Sequence, residues 1–423
     1  MILAAGYVSA EQKVVHFFLD GTIHGITAEY VTKALDYAAA EKADAVVFQL
    51  QTPGGVVESM RAMVSKMIAS RVPVIVYVAP GGSRATSAGF YITIAADLAV
   101  MAPGTHLGSA HPVFGQESSD TENSKIMMKK ATEDSVAYIK TIAEKRGRNL
   151  KEAERAVRES VSFTETEALK LGLIDFVATD LNDLLKKADG RTYRRFDGTT
   201  AQLHLSAPKI VEFEMTRRQK FLSLLADPNI ALLLFGLGTL GLMIELYSPG
   251  LILPGIVGVI SLALFFLSVQ VLPINYAGLL LIVFAVVLFV LELKVTSYGI
   301  LTLGGITSLA LGATMLIDSP IPEMQVSLKV LATIVAMVAI TMSFLLWLVV
   351  RLHRTKPRTG LQGLMQEVGT AQTDLDPEGQ IFVHGEIWRA VAPHRIPKGE
   401  RVRILAVDGL TLKVGPFEEK VPS

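Results

Sequence analysis

The chain has 423 residues, with 40 Lys+Arg balanced by 40 Asp+Glu, no cysteine and 50% hydrophobic residues; its mean hydropathy is +0.42. Zero net charge gives no global attraction to nucleic acid. The missing cysteine excludes disulfides, thiolate catalysis and cysteine-based zinc sites. The length suits two or three domains.

Residues 1–10, MILAAGYVSA, pair a short apolar run with Val8-Ser9-Ala10, a sequence suited to signal-peptidase cleavage. No basic stretch precedes it, so residues 1–11 read as the remnant of an export signal whose beginning is missing. Residues 12–185 then alternate β-branched runs with amphipathic stretches, the pattern of βα units around a parallel sheet. Strands are expected at Lys13–Leu19, Ala45–Gln49, Val74–Val78 and Leu98–Met101. Helices are expected at Thr27–Glu41, Val56–Ser70, Ser87–Ala96, about Ser124 to Lys145, Asn149–Glu159 and Thr164–Leu171. Residues 190–210 read as a small β extension, and Thr216–Lys220 (TRRQK) as a basic junction closing a first domain at about residue 225.

The apolar surplus lies in residues 226–350. Five segments, about 229–246, 251–272, 276–293, 297–317 and 328–350, are each long enough to span hydrocarbon roughly 30 Å thick. The first two are joined only by Ser248-Pro249-Gly250 and the fourth is glycine-rich, so four spans are the alternative count. A weak repeat relates Glu245–Gly258 to Glu292–Ile306, 47 residues on: a Glu at a helix end, a turn, then a glycine-rich helix. Both glutamates are expected at the membrane interface rather than as functional intramembrane carboxylates. Arg351, Arg354, Lys356 and Arg358 place the end of the last span in the cytoplasm, and the acidic loop Asp318–Glu323 belongs outside. Five spans put residues 1–225 outside, against the weaker signal of Arg217, Arg218 and Lys220. Residues 351–423 alternate short strands with turn signals, as in a five-stranded barrel of OB type. Only Phe382 and Trp388 offer rings for stacking, so a protein-interaction or structural role is expected there, not nucleic-acid binding.

Chemistry concentrates between Leu50 and Val113. Thr52-Pro53-Gly54-Gly55 follows one strand, and Ala79-Pro80-Gly81-Gly82 leads from another into Ser83-Arg84-Ala85-Thr86-Ser87-Ala88-Gly89. Paired glycines free backbone N–H groups to face a ligand oxygen. A serine at a strand-to-helix turn gains the positive potential of the helix start. Acyl transfer needs such an exposed hydroxyl and preorganised donors for an oxyanion. Taken singly, a Gly-Gly turn is an ordinary turn and a serine before a helix an ordinary N-cap. No residue spacing suggests a metal site, and no cofactor is expected.

Leu50-Gln51-Thr52-Pro53-Gly54-Gly55, Ser87-Ala88-Gly89 and Met101-Ala102-Pro103-Gly104-Thr105-His106-Leu107-Gly108 resemble the NfeD family, the stomatin operon partner proteins, which are membrane-bound members of the ClpP-like serine peptidases. The likeness extends through Glu245–Gly258 and the stretch Gly379–Ala390. It implies an α/β ClpP/crotonase-like peptidase domain, then a transmembrane helical bundle, then a small all-β OB-like barrel. It also implies that Ser87 is the nucleophile, that the Gly55 and Ala88 N–H groups form the oxyanion hole with Gly54 shaping the turn, and that a lysine is the base. Counting back from Tyr138-Ile139-Lys140 selects Lys130, with Lys125 and Lys129 as neighbours. Met127, Ala131, Tyr138 and Ile142 share one helical face, which sets Lys130 beside a buried stripe; a base lysine must be neutral, and burial favours that form. His111 falls near the catalytic histidine position of ClpP and is the alternative base, for which Asp97 and Asp175 are acid candidates. His16, His24 and His106 read as structural. The resemblance implies hydrophobic substrate segments, a stomatin- or flotillin-type membrane partner and a homo-oligomer, dimer or larger. Two other readings share the residues: a non-catalytic membrane scaffold for such a partner, and a crotonase-like acyl-CoA enzyme, which the membrane domain and the lack of an acidic pair weaken.

Overall fold

The computed structural model describes residues 12–113, 122–247, 250–270, 272, 274–295, 297, 299–317, 325–354, 361–365 and 367–417. The export-signal remnant, the acidic loop 318–323, Ser248, Pro249, Lys356 and Arg358 lie outside the described residues. The chain divides into two compact units near Met342.

The first unit opens with β1 (Lys13–Asp20), α1 (Gly25–Ala40), β2 (Ala45–Gln51), α2 (Val57–Ile68), β3 (Val74–Val78), β4 (Arg84–Thr86), α3 (Ala88–Ala95), β5 (Leu98–Met101) and β6 (His106–Gly108). It continues with α4 (Glu122–Arg146), α5 (Leu150–Arg158), β7 (Ser162–Thr164), α6 (Glu165–Lys170), β8 (Phe176–Val177), α7 (Leu181–Ala188), the hairpin β9 (Thr192–Arg194) and β10 (Thr200–Gln202), and β11 (Lys209–Glu212). The main sheet runs β11-β1-β2-β3-β5-β8, every pair parallel. A parallel sheet is covered on both faces, so its strands read as continuous apolar runs; all five residues of β3 are buried. On one face Val15, Phe17, Val46, Phe48 and Val76 join helices α1 to α4. On the other Val14, Val47, Ile75 and Tyr77 pack on α7 and on Leu203 and Leu205 beyond the hairpin. The sheet β4-β6-β7, three residues per strand, escapes sequence reading because such strands carry no period.

Two buried arginines hold α3. Arg146 Nε donates to the Ala95 carbonyl (2.7 Å) and Arg148 Nε to that of Ile94 (3.1 Å), while Arg148 Nη2 reaches Ala96 O (3.1 Å). These carbonyls end the helix, and positive charge there complements its dipole. Arg146 also pairs with Asp97 at 2.6 Å, each side chain 2% exposed, and Asp97 accepts from Val74 N.

Five apolar helices follow a short α8 (Arg217–Leu225): α9 (Pro228–Tyr247), α10 (Ile252–Val269), α11 (Tyr276–Lys294), α12 (Ile300–Met315) and α13 (Leu328–Arg354). The sequence repeat is a repeated hairpin. In α9–α10 a Cβ added at Gly241 would lie 2.5 Å from Pro254 O; in α11–α12 one at Gly312 would lie 2.9 Å from Gly278 O. Such small-residue contacts pack helices where no hydrophobic drive between them exists. Glu292 is engaged within the protein: it is 9% exposed and accepts from Ser297 Oγ (2.7 Å), Gly299 N (3.1 Å) and Thr302 N (2.9 Å). It caps the start of α12, because donors orphaned at a helix N-terminus need an acceptor that lipid cannot supply.

The second unit ends in a closed barrel, β12 (Val368–Ala371), β13 (Glu378–Val383), β14 (Glu386–Val391), β15 (Arg401–Asp408) and β16 (Thr411–Pro416), ordered β12-β13-β14-β16-β15. Its core is small and aliphatic, with Ile381, Ala390, Val402, Ile404 and Leu412 fully buried. Phe382 is exposed.

Replacing Arg146 by Ala leaves Asp97 buried without its close counter-charge. We expect a loss of about 3–5 kcal/mol in thermal or denaturant unfolding of the α/β domain, against little change for Lys33→Ala in the surface pair Glu29–Lys33. Equal effects would remove Arg146 as a structural key.

Candidate active site

Ser87 sits between β4 and α3 with φ +52° and ψ −118°, a combination that is costly for a residue bearing a Cβ. This is the geometry of a nucleophile elbow, in which a sharp strand-to-helix turn lifts the hydroxyl out of the backbone. The turn is held from both sides. Ser87 N donates to Gly108 O (2.9 Å), and Thr86 N donates to Thr52 O (3.2 Å). Gly89 brings α3 down onto β2: a Cβ there would lie 2.5 Å from Thr52 Cγ2. Ser87 is half-buried, whereas Ala88 and Gly89 are buried.

The Gly54–Gly55 turn lies directly against the serine. A Cβ at Gly54 would fall 2.6 Å from Ser87 Cβ and 3.0 Å from its Oγ, and Gly54 has φ +118°. Thr52, fully buried, ties the turn through its hydroxyl, which accepts from Gly54 N (3.1 Å) and donates to Gly54 O (3.2 Å). Ile23 N donates to Gly54 O and Val56 N to Ile23 O, both at 2.8 Å. In a parallel bridge of this kind the intervening Gly55 turns its own N–H away from Ile23. The N–H groups of Gly55 and Ala88 make no hydrogen bond to any described residue; Ala88 is the first residue of α3, where donors are orphaned. Ser87, Gly54, Gly55 and Ala88 thus converge: a half-buried serine beside two unengaged backbone donors. Sequence reading missed Thr52 as the clasp of this turn; its place two residues before Gly54 was the available signal.

The two candidate bases differ in setting. His111 is half-buried, and its Nδ1 lies 2.9 Å from Val157 O. A carbonyl only accepts, so Nδ1 carries the proton and a neutral ring keeps a lone pair on Nε2. Neither acid candidate serves His111. Asp97 is engaged by Arg146, and Asp175 accepts from Ala99 N (2.7 Å) and pairs with Arg148 (3.1 Å). Lys130 is exposed, as are Lys125, Lys129 and Met127. The stripe expected to flank Lys130 becomes buried only from Val136 onward, through Ile139, Ile142 and Ala143. The middle of α4 is pinned: Tyr138 stacks on Tyr91 (6.0 Å between rings), Arg61 lies over Tyr138 and pairs with Asp134, and Tyr91 Oη donates to Ala110 O (3.3 Å). Burial pushes the Tyr91 phenol up to about 12, so it stays a donor. Lys130 stands about two turns before Tyr138 on this helix.

The remaining histidines are built into the fold. His16 bonds Glu212 (2.8 Å) and Gln49 (3.1 Å). His24 is buried, with Nε2 3.4 Å from Ser223 Oγ. His106 lies in β6, paired with Arg84 and Thr164.

A strained serine over a glycine turn, beyond the C-terminal end of β2 in a parallel α/β sheet and in one chain with an apolar helical bundle, defines a membrane protein with a ClpP-class serine peptidase domain. Residues 13–193 match the NfeD1b N-terminal domain, 229–350 the NfeD integral membrane domain and 361–416 the NfeD-like C-terminal, partner-binding domain. The chain belongs to the NfeD family. Membrane-bound protease PH1510 of Pyrococcus horikoshii is 34% identical over 425 residues, 98% of this chain and 96% of its own. Membrane protein NfeD1b of Bacillus subtilis is 27% identical over 427 residues, 96% of this chain and 93% of its own. Among solved structures, 1510-N, a membrane-bound stomatin-specific protease, is similar as a lysine-to-alanine variant with a substrate peptide: 32% identity, 51% of this chain, 97% of that chain, TM-score 0.46. The 1510-N protease of Pyrococcus horikoshii, specific for a stomatin homolog, gives 31%, 52%, 100% and 0.44.

Two outcomes follow. Gly54→Ala puts a methyl group against Ser87 at a φ of +118° that alanine rarely adopts; we expect labelling of Ser87 by a fluorophosphonate to fall about 10²-fold or more, together with a lower melting temperature of the α/β domain. Retained labelling would separate the glycine turn from the site. His24 titrates near 6.5 when unfolded, but burial lowers it to about 4 in the fold. The folded state therefore binds fewer protons between those values. Stability is full above pH 6.5 and falls by about 3 kcal/mol as pH drops toward 4. The melting temperature should fall across that window by more in wild type than in His24→Gln; equal slopes would exclude His24 as the source.

Proposed function

We propose that this chain is a membrane-anchored serine endopeptidase that cleaves hydrophobic segments of a stomatin- or flotillin-type membrane protein. The observation that carries the reading is the Ser87 turn, strained and set against Gly54–Gly55 with two donors unengaged. In this reading Ser87 Oγ attacks the scissile carbonyl and its proton passes to Lys130 Nζ. The Gly55 and Ala88 N–H groups hold the oxyanion, each such donor contributing about 10²–10³ in rate. The tetrahedral intermediate expels the amine with a proton from the base, and water then hydrolyses the acyl-enzyme. The whole-length likeness to a membrane-bound protease supports the activity, and the stomatin specificity named for 1510-N supports the partner class.

Lys130 must be neutral to accept a proton, and in the single chain it is exposed. Exposed Ile126 and Met127 precede it on the same helix, so covering this end of α4 with substrate or a second copy would desolvate it. That supports a homo-oligomer, dimer or larger, as the working form. The basic residues at the end of α13 and just beyond it, with the five apolar helices, support a multi-pass topology with the peptidase domain outside the cytoplasm and the barrel inside. A second reading makes His111 the base; it is favoured by the Nδ1–Val157 bond, which leaves Nε2 as acceptor.

The test is cleavage of a hydrophobic peptide from a stomatin homologue's C-terminal region by the full chain in membranes. Ser87→Ala and Lys130→Ala should each lose at least about 10³-fold, with His111→Ala close to wild type. Loss in His111→Ala with activity kept in Lys130→Ala would move the base to histidine. A wild type that neither cleaves nor labels at Ser87 would favour a non-catalytic scaffold.

A further inference from the structure

Helix α8 lies between the stretch matching the N-terminal domain and that matching the membrane domain. It is capped by Thr216, whose hydroxyl accepts from Gln219 N while Gln219 Oε1 accepts from Thr216 N. Its inner side is fixed to the α/β domain, with Gln219 3% and Leu225 2% exposed and Ser223 against His24. Its outer side is apolar and basic at once. Phe221 is 46% and Leu224 54% exposed, and at 100° per residue both share a face with Arg217. Arg218 and Lys220 flank that face. Lys220 pairs with Glu214 (2.7 Å), whereas Arg217 and Arg218 make no hydrogen bond or close ion pair to any described residue. Lys33 lowers the Glu29 carboxyl, and Arg218 adds to this only at longer range.

After the two linking residues Ala226 and Asp227, Pro228 opens α9, the first helix of the membrane domain. The exposed face thus immediately precedes the first apolar helix of the membrane domain in the chain, about 13 Å of helix with aromatic and aliphatic side chains and guanidinium groups beside it. We propose that α8 lies in the membrane interface and seats the α/β domain on anionic lipid headgroups. Phe221 and Leu224 enter the acyl boundary, and Arg217 and Arg218 meet headgroup phosphates, which favour paired donors. The proposal does not rest on the protease reading. It reassigns the basic junction from an orientation signal to a lipid contact.

The chain has no cysteine, so single labels can be placed cleanly. Leu224→Cys or Phe221→Cys in the full chain, carrying an environment-sensitive fluorophore, is reconstituted in phosphatidylcholine vesicles with or without phosphatidylglycerol. Shallow doxyl-lipid and aqueous iodide serve as opposing quenchers, and exposed Lys151→Cys is the aqueous control. We expect lipid quenching at 221 and 224 that rises with phosphatidylglycerol. It should lose most of that rise in the double variant Arg217→Glu/Arg218→Glu, since each basic residue near an anionic surface contributes a factor of about five. Iodide quenching equal to that at position 151 would overturn the proposal, as would shielding from both quenchers, which means a protein cover such as a second copy. Lipid quenching indifferent to phosphatidylglycerol and to charge reversal would overturn the anionic-headgroup assignment.

Discussion

A single strained residue organises the peptidase domain. Ser87 adopts a backbone conformation that a side-chain-bearing residue reaches only under constraint, and its neighbours supply that constraint. Gly108 accepts its N–H, Gly54 leaves room for its side chain, and Gly89 draws α3 onto β2. The other end of α3 is anchored by Arg146 and Arg148, whose guanidinium groups satisfy the last carbonyls. A helix eight residues long cannot hold itself. It is rigid because one end is clamped by buried cations and the other by the turn it serves.

The same economy appears in the membrane domain. Two hairpins, α9–α10 and α11–α12, bring glycine faces into backbone contact. In the second, Glu292 ends one helix and caps the next. A carboxylate that looks like an intramembrane functional group is spoken for by three donors, which is the ordinary fate of buried polar groups. In the first hairpin Glu245 holds the equivalent place in the repeat, half-buried beside Gly255.

The two candidate bases show how burial and geometry part company. His111 has a defined tautomer but no carboxylate partner, since Asp97 and Asp175 serve the arginines. Lys130 has the place the family resemblance implies, on a helix pinned to α3 through Tyr138 and Tyr91, but it faces outward. A lysine acts as base only where its ammonium is disfavoured, so its role depends on what covers α4. In the proposed Ser87–Lys130 reading, that dependence ties the chemistry to assembly and substrate binding.

Sequence alone determined what local periodicity and composition encode. Apolar strands such as Val74–Val78 and the apolar helices α9 to α13 were legible because each carries its signal within one segment. The barrel strands were legible from alternation and turn residues. Ser87 and the Gly54–Gly55 pair were legible as a motif, since a turn needing positive φ restricts the residues that fill it. Tertiary structure alone decided which of these parts meet. The clasp at Thr52, the arginine caps on α3, the engagement of Asp97 and Asp175, the capping role of Glu292 and the outward face of α8 all join residues by contacts that no local pattern records. They exist only once the sheet has brought distant segments of the chain together.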